Sequence, residues 1–351
     1  MRHRSSYHWF VSVLFAIIVA PLFFSRADVY ASSQVDFRDV PRTSPYFLPV
    51  RYLSGLEVFQ GYEDGTFRPG SPINRAEVLK VIIKGANAEL PRNVDEIPFS
   101  DVQKDYWFAG YVMAGFAMGI VAGDGVDGSF AAGRQVNKAE FLKMLLIANQ
   151  VNVDAFKDQE SAFADVPKDA WFAPYINYAV TLGVVDAGDS KFVYPAKPLT
   201  RGEVAEMIYL LTLVKKGMDT QFLLDRTEDQ LTQIEVYVAA NHVDLAKKSS
   251  QLAVDLSQQA LKNMSNNNIV LGAAKLSRAY DYLVDSYVLG VSRKNQEAAL
   301  MANQAISKAT EAWEANNATQ PIARHIKDRA REILAQVGGE EWLEEGDLQS
   351  R

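Results

Sequence analysis

Between about residues 37 and 215 the chain alternates short apolar runs with polar, glycine-bearing loops; after Gly217, Trp, Pro and Gly become scarce and long stretches carry an apolar residue every three or four positions. In the first part, Val78, Leu79, Val81, Ile82 and Ile83 follow Asn74 and Glu77, an N-cap residue with an acid three positions on, which is the capping-box signature of a helix start. Asn137 and Glu140 stand in the same way before Phe141, Leu142, Leu145 and Leu146, and Thr200 and Glu203 before Val204, Met207, Ile208 and Leu211. A second set of helices is predicted from aromatic residues at helical spacing: Trp107, Phe108, Tyr111, Val112 and Phe116, then Trp171, Phe172, Tyr175, Ile176 and Ala179. Such stripes are expected to form the packing face between units.

In the second part, Leu231, Ile234, Val238, Leu245, Leu252 and Leu256 predict one long helix, ended by a loop at Asn263 to Asn268. Further helices are predicted over Val270 to Gly290, Lys294 to Asn316, and from Gln320-Pro321 onward, where proline suits the first helical turn. Short loops between amphipathic helices imply an antiparallel bundle, and no fixed period is evident in it. The fold class expected is all-α.

The first part repeats itself. Arg75, Lys138 and Arg201 occupy one register, each 63 residues after the last, directly behind the N-cap. A cation there opposes the helix macrodipole and costs about 0.3–1 kcal/mol, whereas free backbone N–H groups at a helix start favour an anion; together they predict an anion site. Upstream, Phe37-Arg38-Asp39-Val40-Pro41, Phe99-Ser100-Asp101-Val102 and Phe163-Ala164-Asp165-Val166-Pro167 open the three units. Between opening and second helix lies Gly61-Tyr62-Glu63-Asp64-Gly65-Thr66-Phe67-Arg68-Pro69, whose Asp64-Gly65 pair marks a tight turn. A unit of two helices cannot bury its apolar face alone, but three can.

On these motifs the region from Phe37 to Lys215 resembles three tandem S-layer homology (SLH) domains, a family with an opening Phe-x-Asp-Val, a Gly-Tyr-x-Asp-Gly-Thr-Phe-x-Pro loop and a Thr-Arg-Ala-Glu helix start. The resemblance implies three helix-loop-helix repeats in a pseudo-threefold arrangement with grooves between neighbours. It implies non-covalent binding of a secondary cell-wall polymer or related anionic glycan, often carrying a pyruvyl ketal whose carboxylate meets the helix-start Arg. Carried onto this chain, Arg75, Lys138 and Arg201 would be the glycan-binding cations. Gly61, Tyr62, Asp64 and Gly65 would shape the groove of the best-kept site, grouped with Arg75. The second repeat has a longer loop, Gly123 to Phe130, and a Lys that lacks the planar fork of Arg. The third lacks the turn glycine and places Gly202 where the family has Ala, at a cost of up to about 1 kcal/mol. The first repeat has Ser44-Pro45-Tyr46-Phe47 in place of the family's Trp. The organisation expected is a signal peptide over 1–31, repeats over 36–97, 98–161 and 162–217, a helical bundle over 218–337 and an acidic tail over 338–351.

Arg2 and Arg4, the apolar run Phe10 to Phe24 and the small residues around Val29-Tyr30-Ala31 form a signal-peptide pattern, with an uncleaved anchor as the alternative. This implies export to the cell wall, S-layer or cell surface. The net charge of −7 speaks against nucleic acid as a partner, and the absence of cysteine removes disulfides, thiol catalysis and zinc-thiolate sites. Asp124 and Asp127 sit in a Gly-rich turn, but Val126 and Gln135 fall where a calcium loop needs oxygen ligands, so no metal and no cofactor is expected. Among His3, His8, His242 and His325 no metalloprotease pair occurs, and neither a nucleophile elbow nor a P-loop is present. Glu77, Glu140 and Glu203 are accounted for as capping partners, so no enzyme is expected. The second half reads as a module for a protein partner or for self-assembly. An alternative stays open: a structural scaffold whose repeats have little affinity for glycan.

Overall fold

A computed structural model describes residues 36–123, 128–188 and 190–338; the signal segment, the acidic positions of the second loop and the acidic tail lie outside the described residues. Among the described residues the chain is helical, with β-type pairing confined to isolated bridges. It divides into two compact units at Lys215.

Among the described residues the first unit contains six α-helices: α1 (Phe47–Gly55), α2 (Arg75–Gly85), α3 (Ala109–Ala117), α4 (Lys138–Ala148), α5 (Ala173–Thr181) and α6 (Arg201–Lys215). Helices α2, α4 and α6 start at the three caps. Asn74 Oδ1 accepts from Glu77 N–H at 2.9 Å while Glu77 Oε2 accepts from Asn74 N–H at 3.0 Å. Asn137 with Glu140 and Thr200 with Glu203 close the same reciprocal pair. Val78, Leu79, Ile82, Leu142, Leu146, Val204 and Leu211 are buried along these helices.

What closes the unit is the treatment of the first-turn N–H groups, which a helix cannot satisfy internally. Arg75 N–H and Ala76 N–H donate to the carbonyls of Arg134 and Ala132 in the second repeat, at 2.8 and 3.1 Å. Lys138 and Ala139 donate to Lys197 and Pro195 in the third, at 3.1 and 2.9 Å. Arg201 and Gly202 donate to Ser71 and Pro69 in the first, both at 2.9 Å. One-residue antiparallel bridges Asn74–Gln135, Asn137–Pro198 and Pro72–Thr200 reinforce the cycle. Repeat one thus holds two, two holds three and three holds one, which is the pseudo-threefold ring that the resemblance implied.

The aromatic stripes are only partly buried: Val112, Ile176 and Ala179 are, but the tryptophans are not. Trp107 and Trp171 are 57% and 54% exposed, and Phe116 is also exposed. Apart from Asn177, the buried positions of α3 and α5 are small or β-branched: Ala109, Val112, Ala114, Gly115, Ala173, Ile176 and Ala179. The reason is close packing. A Cβ on Gly115 would lie 2.8 Å from Leu79 of α2, so α3 sits too near α2 to take rings between them.

The second unit contains α7 (Thr220–Ala239), α8 (Val243–Asn263), α9 (Asn268–Val291), α10 (Asn295–Ala315) and α11 (Gln320–Gln336). The one long helix expected from Leu231 to Leu256 is two helices, broken where Asn241 adopts φ 58° and His242 N–H turns back to Tyr237 O at 2.8 Å. The same break recurs 52 residues on, with Arg293 at φ 61° and Lys294 N–H donating to Leu289 O at 2.9 Å. At that offset Ala246, Ala253 and Ala260 of α8 match Ala298, Ala305 and Ala312 of α10, all fully buried, and Asn267 and Thr319 stand before α9 and α11. A period therefore exists where none was legible, because it is carried by alanines that many helices share.

Each helix packs on the next, with α9 also touching α7 and α11, the pattern of stacked hairpins. Helix α11 buries Ile322, Ala323, Ile326, Ala330 and Leu334 and exposes Arg324, Asp328, Arg331 and Glu332, as a terminal cap requires. Between α8 and α9 the buried Asp281 accepts from Lys247 and Ser250, both at 2.8 Å. No helix among the described residues is long and apolar enough to cross a membrane.

Candidate functional site: the loop clefts of the ring

The cyclic exchange carries each helix-start cation into the loop of the following repeat. Arg201, from repeat three, enters the first loop. Its Nε donates to Phe67 O and its Nη2 to Gln60 O, both at 2.9 Å, and its guanidinium lies 4.8–5.1 Å from the ring centres of Phe67, Tyr62 and Phe59. It is 5% exposed, and burial lowers its pKa from the ordinary guanidinium value. Lys138, from repeat two, enters the third loop, where Nζ donates to Val193 O at 2.7 Å; burial lowers its pKa as well. Arg75, from repeat one, enters the second loop and lies 5.4 Å from the ring centre of Phe130. It is 7% exposed.

Two sequence expectations change here. Arg75 was grouped with Gly61, Tyr62, Asp64 and Gly65, because they belong to one repeat. The residue that joins this loop is Arg201, because the ring pairs each helix start with its neighbour's loop. The helix starts were also expected to offer free N–H groups to an anion. The first two N–H groups of each helix are bonded to loop carbonyls and the third to the cap, so the positive character left for a ligand is that of the side chains.

The first loop is organised around Asp64. Its Oδ1 accepts from Thr66 N–H and from the Thr66 hydroxyl, and its Oδ2 pairs with Arg68 Nη2 at 2.9 Å. The Thr66 hydroxyl and Arg68 hold its carboxyl down at about 2. Gly65 takes φ 74°, Arg38 N–H donates to Gly65 O at 3.2 Å, and the Arg38 guanidinium donates to Asp64 O. Arg68 also stacks over Tyr62 at 4.0 Å, so that ring lies near two guanidiniums. Gly61 is required by packing, since a Cβ there would lie 2.1 Å from the Phe37 ring and 2.7 Å from Thr66 O.

Two sets of residues make contacts that the sequence reading did not assign. The first is the aspartate of each opening motif. Asp39 accepts from Phe67 and Arg68 N–H at 2.7 and 2.6 Å, Asp101 from Phe130 and Ala131 at 2.7 and 2.8 Å, and Asp165 from Val193 and Tyr194 at 3.0 and 2.7 Å. Each carboxylate clamps its own loop at the point where the neighbour's cation arrives. The signal was present, because the aspartate recurs 28, 29 and 28 residues before the position it clamps. The second set pairs the exposed tryptophans with lysines of the preceding repeat: Lys80 Nζ lies 5.6 Å from Trp107 and Lys143 Nζ 5.3 Å from Trp171. Lys80 also reaches Gln60 Oε1 at 3.4 Å, beside Arg201's bond to the Gln60 carbonyl. Among the described residues no group of three or more His, Asp and Glu is placed to hold a metal ion.

The family model of the S-layer homology domain matches residues 36–79, 98–142 and 162–205, one match for each segment of the ring. The chain carries three S-layer homology domains. Each SLH match runs from just before the clamp aspartate through the loop into the helix whose first turn bonds to the next repeat's loop.

The chain is 28% identical over 180 residues to S-layer protein EA1 of Bacillus anthracis, covering 51% of this chain and 20% of that protein. It is 28% identical over 200 residues to the surface-layer 125 kDa protein of Lysinibacillus sphaericus, covering 54% and 16%. It is also 24% identical over 164 residues to exoglucanase XynX of Acetivibrio thermocellus, covering 46% and 15%. The matched stretch thus spans a fifth or less of each of these relatives, and one of them is an enzyme by name.

Proposed function

We propose that the SLH ring attaches this protein non-covalently to an anionic cell-wall polysaccharide, and that the stacked helical hairpins form an exposed module for a protein partner or for self-assembly. The observation that carries the first part is the repeated placement of a cation against the neighbouring loop, with Arg75 on the second loop, Lys138 on the third and Arg201 on the first. Three equivalent clefts with desolvated cations suit a polymer with a repeated negative group, and a pyruvyl carboxylate fits that description. In the first loop Tyr62 lies against Arg201, and Gly61, Asp64 and Gly65 shape the turn that presents it. The kinship with surface-layer proteins supports a location at the cell surface, and on this reading the protein is an exported, non-catalytic component. The likeness to a glucanase covers 15% of that enzyme and transfers no catalysis to this chain.

The test is sedimentation of the full chain with purified cell-wall sacculi, before and after mild acid removal of the attached polymer. Binding that disappears on stripping is the expected result. Arg75→Ala and Lys138→Ala should each weaken it by about tenfold, the worth of one charge-assisted contact. A second reading is favoured by Arg201, whose two hydrogen bonds go to backbone carbonyls of its own chain: the ring is then a scaffold, and the full chain stays in the supernatant with either preparation.

A further inference from the structure

We propose that Phe192 and Tyr194, stacked on one another in the third loop, form a platform for a sugar ring of the wall polysaccharide, a subsite separate from the three cations. This rests on the reading that the SLH ring binds such a polymer.

The two rings have centroids 6.1 Å apart and lie within 28° of parallel, and they are 47% and 57% exposed. A contiguous exposed apolar surface is where a binding contact is sought. Here they are also held in place from below. Phe192 N–H donates to Ser190 Oγ at 3.0 Å, and the Ser190 hydroxyl donates to Phe192 O at 2.8 Å. The intervening Val193 is 2% exposed; its N–H is clamped by Asp165, and its carbonyl accepts from Lys138. Tyr194 N–H donates to the second oxygen of Asp165 at 2.7 Å. The backbone that carries these side chains is thus bonded, so a ligand meets a loop whose backbone ordering entropy is already lost.

The other two loops show that this pair is an addition to the common frame. The positions of Phe192 and Tyr194 are held by Thr66 and Arg68 in the first loop and by Ser129 and Ala131 in the second, as the aspartate clamps fix the register. Arg68, Ala131 and Tyr194 share the left-handed backbone, at φ 58°, 56° and 53°. A bulky aromatic residue is a poor choice for that conformation, and the fold at this position is served by Ala131. In the first loop Arg68 covers the Tyr62 ring and pairs with Asp64, so that position is closed by its own partners. In the third loop the stacked pair stays about half exposed.

The occupant that fits is a pyranose. It offers a flat face of C–H groups to the aromatic rings and hydroxyls to the phenol edge, next to the loop that Lys138 secures. The anionic substituent of the same polymer would then have its cation one residue away along the backbone contact, so one chain is read by charge and by stacking together.

The experiment compares wild-type full chain with the double variant Phe192→Ser/Tyr194→Ala in sedimentation with native sacculi. These residues are those of the second loop, so the loop geometry is preserved, and an unchanged thermal midpoint checks this. The expected result is a loss of affinity of about tenfold, in the range of an aromatic anchor, with Phe192→Tyr/Tyr194→Trp close to wild type. Should the double variant unfold, Phe192→Leu, which keeps bulk and loses the aromatic face, is expected to show the loss. Equal retention of wild type, double variant and Phe192→Leu overturns the platform and leaves wall binding intact. Failure of wild type to pellet overturns the wall-binding reading and the platform with it. Self-association of wild type that the double variant abolishes, with wall binding unchanged, assigns the pair to a contact between copies and also overturns the proposal.

Discussion

The Arg201 guanidinium donates to the carbonyl of Phe67, 134 residues earlier in the chain, at 2.9 Å. That bond and its companion to Gln60 join the last repeat to the first and close the ring. Arg201→Ala removes both donors and leaves the carbonyl of the buried Phe67 without its partner, which should cost about 1–3 kcal/mol of stability. Arg201→Lys keeps the charge but cannot reach both acceptors with a planar fork, and it should fall between. Urea unfolding of the full chain, followed in the transition that belongs to the ring, checks both; an Arg201→Ala curve that overlays wild type would assign the bonds no structural weight.

Gly202 and Tyr46 form a matched pair. A Cβ on Gly202 would lie 2.7 Å from the Tyr46 ring, so the glycine that weakens the first turn of α6 is the one that admits this ring. Gly202→Ala, which raises helix propensity by about 1 kcal/mol, should nevertheless destabilise the protein by a similar amount or more. In Tyr46→Ala the same substitution should turn favourable. A double-mutant cycle by thermal or urea unfolding measures the coupling, expected at about 1–3 kcal/mol; additivity would refute the pairing.

Asp64 supplies a pH signature of the first loop. Its carboxyl is held down to about 2 by the Thr66 hydroxyl and Arg68. A carboxylate whose folded pKa lies below its unfolded value of about 3.9 favours the folded loop above that pH, and the contribution fades as pH falls toward the folded pKa. Carbon-13 titration of the carboxyl should give a midpoint near 2. Thr66→Val and Arg68→Ala should each raise that midpoint toward 3.9, the ordinary value for aspartate. An unmoved midpoint in both variants would show that these partners do not set it.

Much of the ring was legible in the chain. The caps Asn74, Asn137 and Thr200, the cations behind them and the first loop are local signals, each contained within a dozen residues, and local hydrogen bonding makes them readable. The same locality misled the grouping of Arg75 with Tyr62, because residues adjacent in sequence were taken as adjacent in space. It also misled the reading of Trp107 and Trp171 as core. Helical spacing says which residues share a face, and only the close approach of α3 to α2, visible at Gly115 and Leu79, says whether that face has room for an indole.

By itself, the sequence determined that the chain is helical, that the first half holds three like units and that a basic residue opens the second helix of each. These follow from periodicity and capping, which depend on neighbours along the chain. The tertiary structure alone decided which loop each cation enters, that the helix-start N–H groups are consumed in closing the ring, and that the second half is a stack of like hairpins. Those outcomes depend on which distant carbonyl lies within about 3 Å of a donor, and a cyclic exchange among three nearly identical units leaves no trace in the order of residues.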